Sequence, residues 1–425
     1  MNMTRRGFVG LTALAIAGTA AGCGRDSSPG GKPAAASSIS DGPATGTLTM
    51  WAMGAEGEKL PALLKDFTAA NPDCKVNVTP IPWDSAHDKF TSAIAGGTTP
   101  DLAMVGTTWM GEFAGLDALD QVPSNFDPAS FFEGAQQTNE VEGASYGVPW
   151  YVETRVVYYR KDLAEKAGIS QAPTDWEGLK TMAKAMKDKA GAKWGINLQP
   201  GGQGSWQTVA PLMWSNGGKL MTEDNKTFTL DDPKNIEAVK YYQSFFAEGI
   251  ANKAPVQGST EADFASGAVP MFISGPWMMS AVEKAGGGEA FKDKYDVFVM
   301  PKKDSSASFI GGCNMAVFKN SKNNQAAWKL VKFLSEPDTQ ITWYKQSTDL
   351  PSVQKAWEDT TLSGDAKMAV FGEQLKTAYA PPSISTWEQV AGKLDAQMEK
   401  VCKSNLDAET ALKTAQSEAT SIGVG

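Results

Sequence analysis

The sequence predicts an α/β protein built on a parallel sheet, and three observations carry that expectation. Between residues 47 and 105, strand-like and helix-like periods alternate in the order β-α-β-α-β, the pattern of a parallel sheet with helices on its faces. A long extended stretch, Tyr146 to Tyr159, has the reach to leave one domain and enter another. The chain has 425 residues, enough for two or three domains at the usual ~100–200 residues each.

The elements follow in order. Thr47–Trp51 reads as a strand, followed by a glycine-containing turn. Glu58–Ala70 brings Leu60, Leu63, Leu64 and Phe67 to helical spacing and stops at Asn71-Pro72. Val76–Ile81 alternates as a strand does. Asp84–Ala95 is helical, with Phe90 and Ile94 on one side and Gly96-Gly97 closing it, and Asp101–Val105 is a short buried strand. Ligands of such sheets sit beyond the carboxyl ends of the strands. Those ends are Trp51–Glu56, Trp83-Asp84 and Gly106–Trp109. Further helices are expected over 162–167, 176–187, 233–248, 277–285, 325–335, 366–378, 387–400 and 408–420, and strands over 269–273, 297–301 and 314–318.

The N-terminus reads as an address. Thr4-Arg5-Arg6-Gly7-Phe8 forms a twin-arginine signal, and an uncharged apolar stretch runs from Phe8 to Ala21. That stretch is shorter than the ~20 residues of a spanning helix. Small residues then lead into Gly22-Cys23, so residues 1–22 resemble a bacterial lipoprotein signal peptide, with lipid on Cys23 after cleavage. The alternative is a hydrophobic first helix of the fold. Residues 24–45 are rich in Ser, Pro, Gly and Ala and read as a flexible tether.

Composition narrows the function classes. Lys+Arg is 39 and Asp+Glu is 48, for a net charge of −9, and removing 1–22 takes away two arginines and no acid. A surface this acidic is a poor match for nucleic acid. His87 is the single histidine, placed by the helix pattern on the surface, so a His-based metal site or a Ser–His–Asp triad has little to draw on. No cofactor and no metal are expected. With Cys23 assigned to lipid, Cys74, Cys313 and Cys402 allow at most one bridge, and three buried thiols are the simpler reading. G-x-S-x-G, P-loop and H-E-x-x-H patterns do not occur. An exported glycosidase would need two carboxylates about 5–9.5 Å apart. A structural or adhesive lipoprotein would show repeats or a flat β-rich body.

Several local patterns together resemble one family. They are Phe67-Thr-Ala-Ala-Asn-Pro72, then Thr99-Pro-Asp-Leu102, Tyr146-Gly-Val-Pro149, Val157-Tyr-Tyr-Arg-Lys-Asp-Leu163 and Pro173-Thr-Asp-Trp-Glu-Gly-Leu179. Phe264-Ala-Ser-Gly-Ala-Val-Pro-Met, Gly275-Pro-Trp277, Gly311-Gly312 and Asp407-Ala-Glu-Thr-Ala-Leu-Lys-Thr-Ala-Gln416 complete the series. In order and spacing the chain is similar to the extracytoplasmic solute-binding component of a carbohydrate ABC importer, of the maltose-binding class. The resemblance implies a periplasmic-binding-protein fold: two discontinuous α/β lobes joined by crossing hinge segments, with ligand in the cleft. Carried over, 46–152 with 309–336 form one lobe, and 153–308 with 346–425 form the other. It also implies an oligosaccharide ligand, a membrane permease as partner, a lipid anchor to the outer face of the cell membrane, and no catalysis. A polyamine or an amino acid is the alternative ligand, and either would need a denser acid cage or an arginine clamp.

The candidate ligand contacts follow from these patterns. Trp51, Glu56, Trp83, Thr107 and Trp109 stand at strand ends of the first lobe; an indole suits the apolar face of a sugar ring and keeps an N–H for a hydroxyl. Core packing for the tryptophans and a helix N-terminal role for Glu56 are the competing readings. Trp206 follows Gly201-Gly-Gln-Gly-Ser205, a loop with the freedom to bring an aromatic over the cleft, and Asn216 offers an amide. The family places cleft aromatics at Trp277 and Trp387. Gly311 and Gly312 let backbone approach a ligand. Arg155 and Arg160 are the only arginines after Arg25. On an extended chain Tyr151, Glu153 and Arg155 share a face, with Val152, Thr154 and Val156 on the other. In the family the segment entering the second lobe carries an acidic ligand contact near Glu153, so the resemblance implies that Glu153 and Arg155 line the cleft at the hinge, with a structural ion pair as the rival reading. Arg160, before Lys161-Asp162, reads as the start of an ordinary helix.

Overall fold

The computed structural model describes residues 38–425. The leader, Cys23 and the tether as far as residue 37 lie outside the described residues. Among the described residues no helix is long and apolar enough to cross a membrane.

The β-α-β-α-β expectation is met closely. Strands Gly46–Met53, Cys74–Ile81 and Leu102–Gly106 are parallel neighbours, with helices Gly54–Ala70 and Trp83–Gly96 between them. Leu60, Leu63, Leu64 and Phe67 are buried. Gly97 closes the second helix in the left-handed conformation that only glycine adopts without strain, at φ 64°. Asp101, of the Thr99-Pro-Asp motif, ties the sheet together. Its carboxylate accepts from the Thr49 N–H and hydroxyl at 2.8 Å each, and from Ser321 at 2.7 Å. Burial raises its pKa, but these hydrogen bonds outweigh that and hold it below the usual carboxylate value.

Two longer strands extend the first sheet antiparallel, and two short strands, Leu350–Pro351 and Ala378–Tyr379, add to them. Ser308–Val317 pairs with Leu102–Gly106 on one side and with Val148–Thr154 on the other. The sequence placed this strand only over 314–318; it begins six residues earlier. A second sheet, all antiparallel, has Val156–Arg160 at its centre, between Met271–Ser274 and Tyr295–Phe298. Arg155 is thus the one residue between a strand of the first sheet and a strand of the second.

Each sheet carries its own core. One contains Leu48, Phe90, Val105, Trp150 and Trp328; the other contains Val157, Trp206, Phe245, Trp387 and Leu412. A third cluster, including Val152, Val156, Ile310, Leu350 and Phe371, fills the region where the chain crosses. One boundary moves as a result. The segment 346–425 does not enter the second lobe directly: Leu350–Pro351 pairs with Val152 and Tyr151 as an edge strand of the first sheet. Gln340 holds it there, donating to the Trp150 carbonyl at 2.8 Å and to Ser352 at 2.9 Å. Cys74, Cys313 and Cys402 are free, buried thiols.

Candidate functional site

The first lobe presents an aromatic shelf at its strand ends. Trp51 is half-buried against Phe90 at 5.4 Å, with the Lys89 ammonium 4.5 Å over its ring. Trp83, the first residue of its helix, is 39% exposed and meets Trp109 edge-on at 6.0 Å. Gly54 makes this possible: a Cβ there would lie 2.7 Å from Trp83 Nε1 and 3.1 Å from a Glu56 oxygen. Glu56 sits in the first turn of the helix, not in a loop, and its carboxylate accepts from the Tyr151 hydroxyl at 3.5 Å. His87 is not a free surface histidine. It packs between Trp109 at 5.4 Å and Phe113 at 5.8 Å, and Nε2 lies 2.8 Å from a Glu112 oxygen. Alternating apolar positions place the histidine on the helix but not the aromatic floor it leans on. Thr107 is buried in the turn Thr107–Trp109.

At the crossing, the expected alternation holds. Val152, Thr154 and Val156 are buried, whereas the side chains of Glu153 and Arg155 keep 26% and 17% exposure. The backbone around Arg155 is held by Ser308, whose hydroxyl donates to the Arg155 carbonyl at 2.8 Å and accepts from its N–H at 3.2 Å. Arg155 Nη2 donates to Gln207 Oε1 at 2.6 Å but lies 3.8 Å from Glu153, beyond hydrogen-bond range. Its Nε is buried and finds no acceptor among the described residues. The guanidinium stands 6.0 Å from the Trp277 ring and 5.7 Å from Phe309. Burial raises the Glu153 pKa, and Arg155 pulls it only part of the way back. Gly311 leaves the room Glu153 occupies, since a Cβ would fall 2.6 Å from Glu153 Oε1. Gly312 serves the backbone instead: at φ 116°, any side chain would strike the Tyr151 carbonyl at 2.2 Å.

Asp349, which the sequence did not single out, stands close enough to this cluster to be coupled to Glu56. Burial, then the Glu56 charge, push its pKa to about 7, against hydrogen bonds from Ser347 and Trp343. No local motif marks it; the fold brings it in through the edge strand that follows.

The second lobe keeps one of its expected aromatics at the surface. Trp277 is 42% exposed, its ring lying back over Gly275, where a Cβ would come within 1.8 Å. Three other candidates are corrected. Trp206 is 3% exposed and opens the helix Trp206–Ser215, so it does not swing on a loop. The Asp395 carboxylate accepts from Gly204 N–H, Ser205 hydroxyl and Trp206 N–H at 2.7–2.8 Å, fixing the loop and drawing the indole inward. Trp387 is fully buried, edge-on to Trp206 at 5.0 Å. Asn216 is buried too, its amide donating to the Lys234 carbonyl at 2.8 Å and to Glu237 at 3.0 Å.

Beside Arg155 the second lobe opens into a cavity of about 880 Å³ that reaches Asn197, Gln199, Gln203, Gln257 and Ser274. Of the sequence candidates only Arg155 lines it. The Gly201-Gly202 turn was a visible signal for it, read for the wrong side chain.

The comparisons with known proteins agree with this geometry. Residues 52–341 match the family described as bacterial extracellular solute-binding protein. A protein of Brucella abortus (strain 2308), with a provisional binding-protein name and no stated ligand, is 30% identical over 366 residues, covering 84% of this chain and 88% of its own length. The diacetylchitobiose binding protein DasA of Streptomyces coelicolor is 28% identical over 398 residues, covering 89% of this chain and 90% of its own. The sugar-binding protein MalE from Xanthomonas citri superposes with a TM-score of 0.83 at 29% identity, over 89% of this chain and 97% of that one. These are transport binding proteins with the two-lobe periplasmic-binding fold, and the chain belongs to the bacterial extracellular solute-binding protein family.

Proposed function

We propose that this protein captures a neutral oligosaccharide between its lobes and delivers it to the membrane permease of an ABC importer. The observation that carries this reading is the hinge pair. The side chains of Arg155 and Glu153 stay partly exposed at the crossing, with Nη2 and a carboxylate oxygen 3.8 Å apart, so neither satisfies the other. Two neighbouring hydroxyls on a sugar ring complement such a pair, one accepting from the guanidinium and the other donating to the carboxylate. Trp277 beside the pair, and Trp83 with Trp109 on the opposite lobe, supply flat apolar faces for the rings. A ligand held by both lobes favours the closed arrangement by its differential affinity, and the closed form is what a permease would recognise. The sugar ligands named for DasA and for the Xanthomonas protein support the same class.

The leader and Cys23 support a lipid anchor on the outer face of the cell membrane. Cys23→Ser should release the protein into the medium; a variant that stays with the membrane would remove the anchor from this account. The protein is proposed to bind without turnover, so sustained release of reducing ends from a bound oligosaccharide would count against it. The central test is a thermal-shift screen of the body against mono- and oligosaccharides, amino acids and polyamines. A specific ligand at 100 times its Kd adds about 2.7 kcal/mol of stability. A shift with an amino acid or polyamine and none with any sugar would overturn the proposal.

A further inference from the structure

We infer that residues 38–44 are a strap clamped onto the first lobe, so that a lipid anchor on Cys23 loads that lobe alone and leaves the second lobe free to swing. The inference rests on the lipid-anchor reading and deepens it: the clamp limits how far the body can stand from the membrane.

The sequence reads 24–45 as one tether, yet its last residues are held. Two carboxamides grip the strap, each through a reciprocal pair of hydrogen bonds. Asn125 Oδ1 accepts from the Ile39 N–H at 3.0 Å, and Asn125 Nδ2 donates to the Ile39 carbonyl at 3.3 Å. Gln325 Oε1 accepts from the Ser40 N–H at 2.7 Å, and Gln325 Nε2 donates to the Ser38 carbonyl at 3.2 Å. One turn further along the helix Asn324–Leu334, Lys329 Nζ donates to the carbonyls of Asp41 at 3.4 Å and Pro43 at 3.3 Å. Asn71 closes the far end. Its Oδ1 accepts from the Ala44 N–H at 2.7 Å, and its Nδ2 is fixed by donating to the Phe67 carbonyl at 2.8 Å.

What is gripped is backbone. Ser38, Ser40, Asp41 and Pro43 are exposed, whereas Ile39 packs against the first lobe's core and Ala44 is buried in it. A carboxamide carries the donor and the acceptor of a peptide group, so Asn125 and Gln325 stand in for the neighbouring backbone that would otherwise satisfy the strap. All four gripping side chains belong to the first lobe, and among the described residues no hydrogen bond ties the strap to the second. Covalent geometry then sets the reach, at ~3.3–3.6 Å per residue. From Cys23 to Ser38 the chain spans at most about 50 Å; with the strap released as far as Gly46, where the first strand begins, the limit is about 80 Å.

The first test is amide hydrogen exchange on the full chain. The Ile39, Ser40 and Ala44 amides should exchange at least about tenfold more slowly than in the unfolded chain. Those of Asp41 and Gly42, which find no acceptor among the described residues, should exchange freely. In the double variant Asn125→Ala/Gln325→Ala the protection of Ile39 and Ser40 should vanish. Ile39→Pro, which removes a gripped N–H from the strap side, should release Ser40 as well. The second test places the lipidated chain on phosphatidylethanolamine–phosphatidylglycerol vesicles, with a dye at Asp66→Cys on the first lobe and an acceptor dye on the headgroups. Energy transfer should fall at least about twofold in both released variants, as the longer reach implies. Strap amides that exchange at the unfolded rate in wild type, protection that survives both variants, or equal energy transfer with and without the clamp would each overturn the inference and leave the anchor standing. A chain that does not join the vesicles at all would remove the anchor reading, and the inference with it.

Discussion

Trp83, Trp206 and Trp387 each open a helix, as the buried Trp176 also does, and they meet opposite fates. Trp83, in the first lobe, is 39% exposed, whereas Trp206 and Trp387, in the second, are 3% and 0% exposed. Their local sequence settings are alike: each follows a turn and precedes an amphipathic stretch. What differs is beneath them. The Trp83 helix starts after Pro82 with no side-chain cap, and Gly54 clears a slot that keeps the indole at the sheet edge. The Trp206 helix starts on a carboxylate from another helix, Asp395, which pulls the chain down until Trp206, Trp387 and Phe309 close on one another. Helix-start position alone therefore does not tell a ligand platform from a core residue; the anchor of the preceding loop does.

The contrast can be broken or sharpened by substitution. Trp387→Ala should cost about 3–5 kcal/mol in urea unfolding, the usual loss for a large buried aromatic; a loss below 1 kcal/mol would mean the ring is not core. Asp395→Ala should cost about 2–3 kcal/mol through its three lost hydrogen bonds and should raise Trp206 fluorescence quenching by solvent. Trp83→Ala and Trp277→Ala should leave the unfolding midpoint nearly unchanged while weakening sugar binding by about 1–3 kcal/mol. If they unfold the protein instead, the distinction between the two groups of tryptophans disappears. Arg155→Lys should lose about 1 kcal/mol of sugar affinity by removing the planar fork; unchanged affinity with a lower melting temperature would make Arg155 a structural pin.

A separate effect is expected on pH dependence. Asp349 is raised from 3.8 to about 7 in the folded state. Between those values the folded chain holds a proton that the unfolded chain has released, so stability falls as pH rises from about 4 to 7. One proton bounds that slope at about 1.4 kcal/mol per pH unit. Asp349→Asn should flatten it, as read from melting temperature across that range.

Much of the first lobe was legible because its elements are defined by local periods: alternating strands, Leu60/Leu63/Leu64/Phe67, and a glycine stop at Gly97. The hinge was legible for a similar reason, since Tyr151, Glu153 and Arg155 need only an extended chain to share a face. Pairing across long separations was not. The early start of Ser308–Val317 depends on partners 70 or more residues away, and the return of Leu350–Pro351 to the first sheet depends on partners still more distant. The burial of Trp206 depends on an aspartate 189 positions later. Arginine rarity picked out two residues with different work. Arg160 spends its guanidinium fully, on Asp162 and on the Phe264 and Ala265 carbonyls, and is closed to ligand; Arg155 leaves donors unused.

The position of Arg155 between two strands has a mechanical consequence. Rotation of one sheet against the other turns the backbone on which this side chain is mounted, with Ser308 gripping it from the neighbouring strand as a bearing grips a shaft. The group that would feel the cargo thus travels with the swivel itself. Stiffening the swivel and retuning the grip on cargo become one adjustment, so a reporter dye placed beside residue 155 would register rotation and occupancy as a single signal.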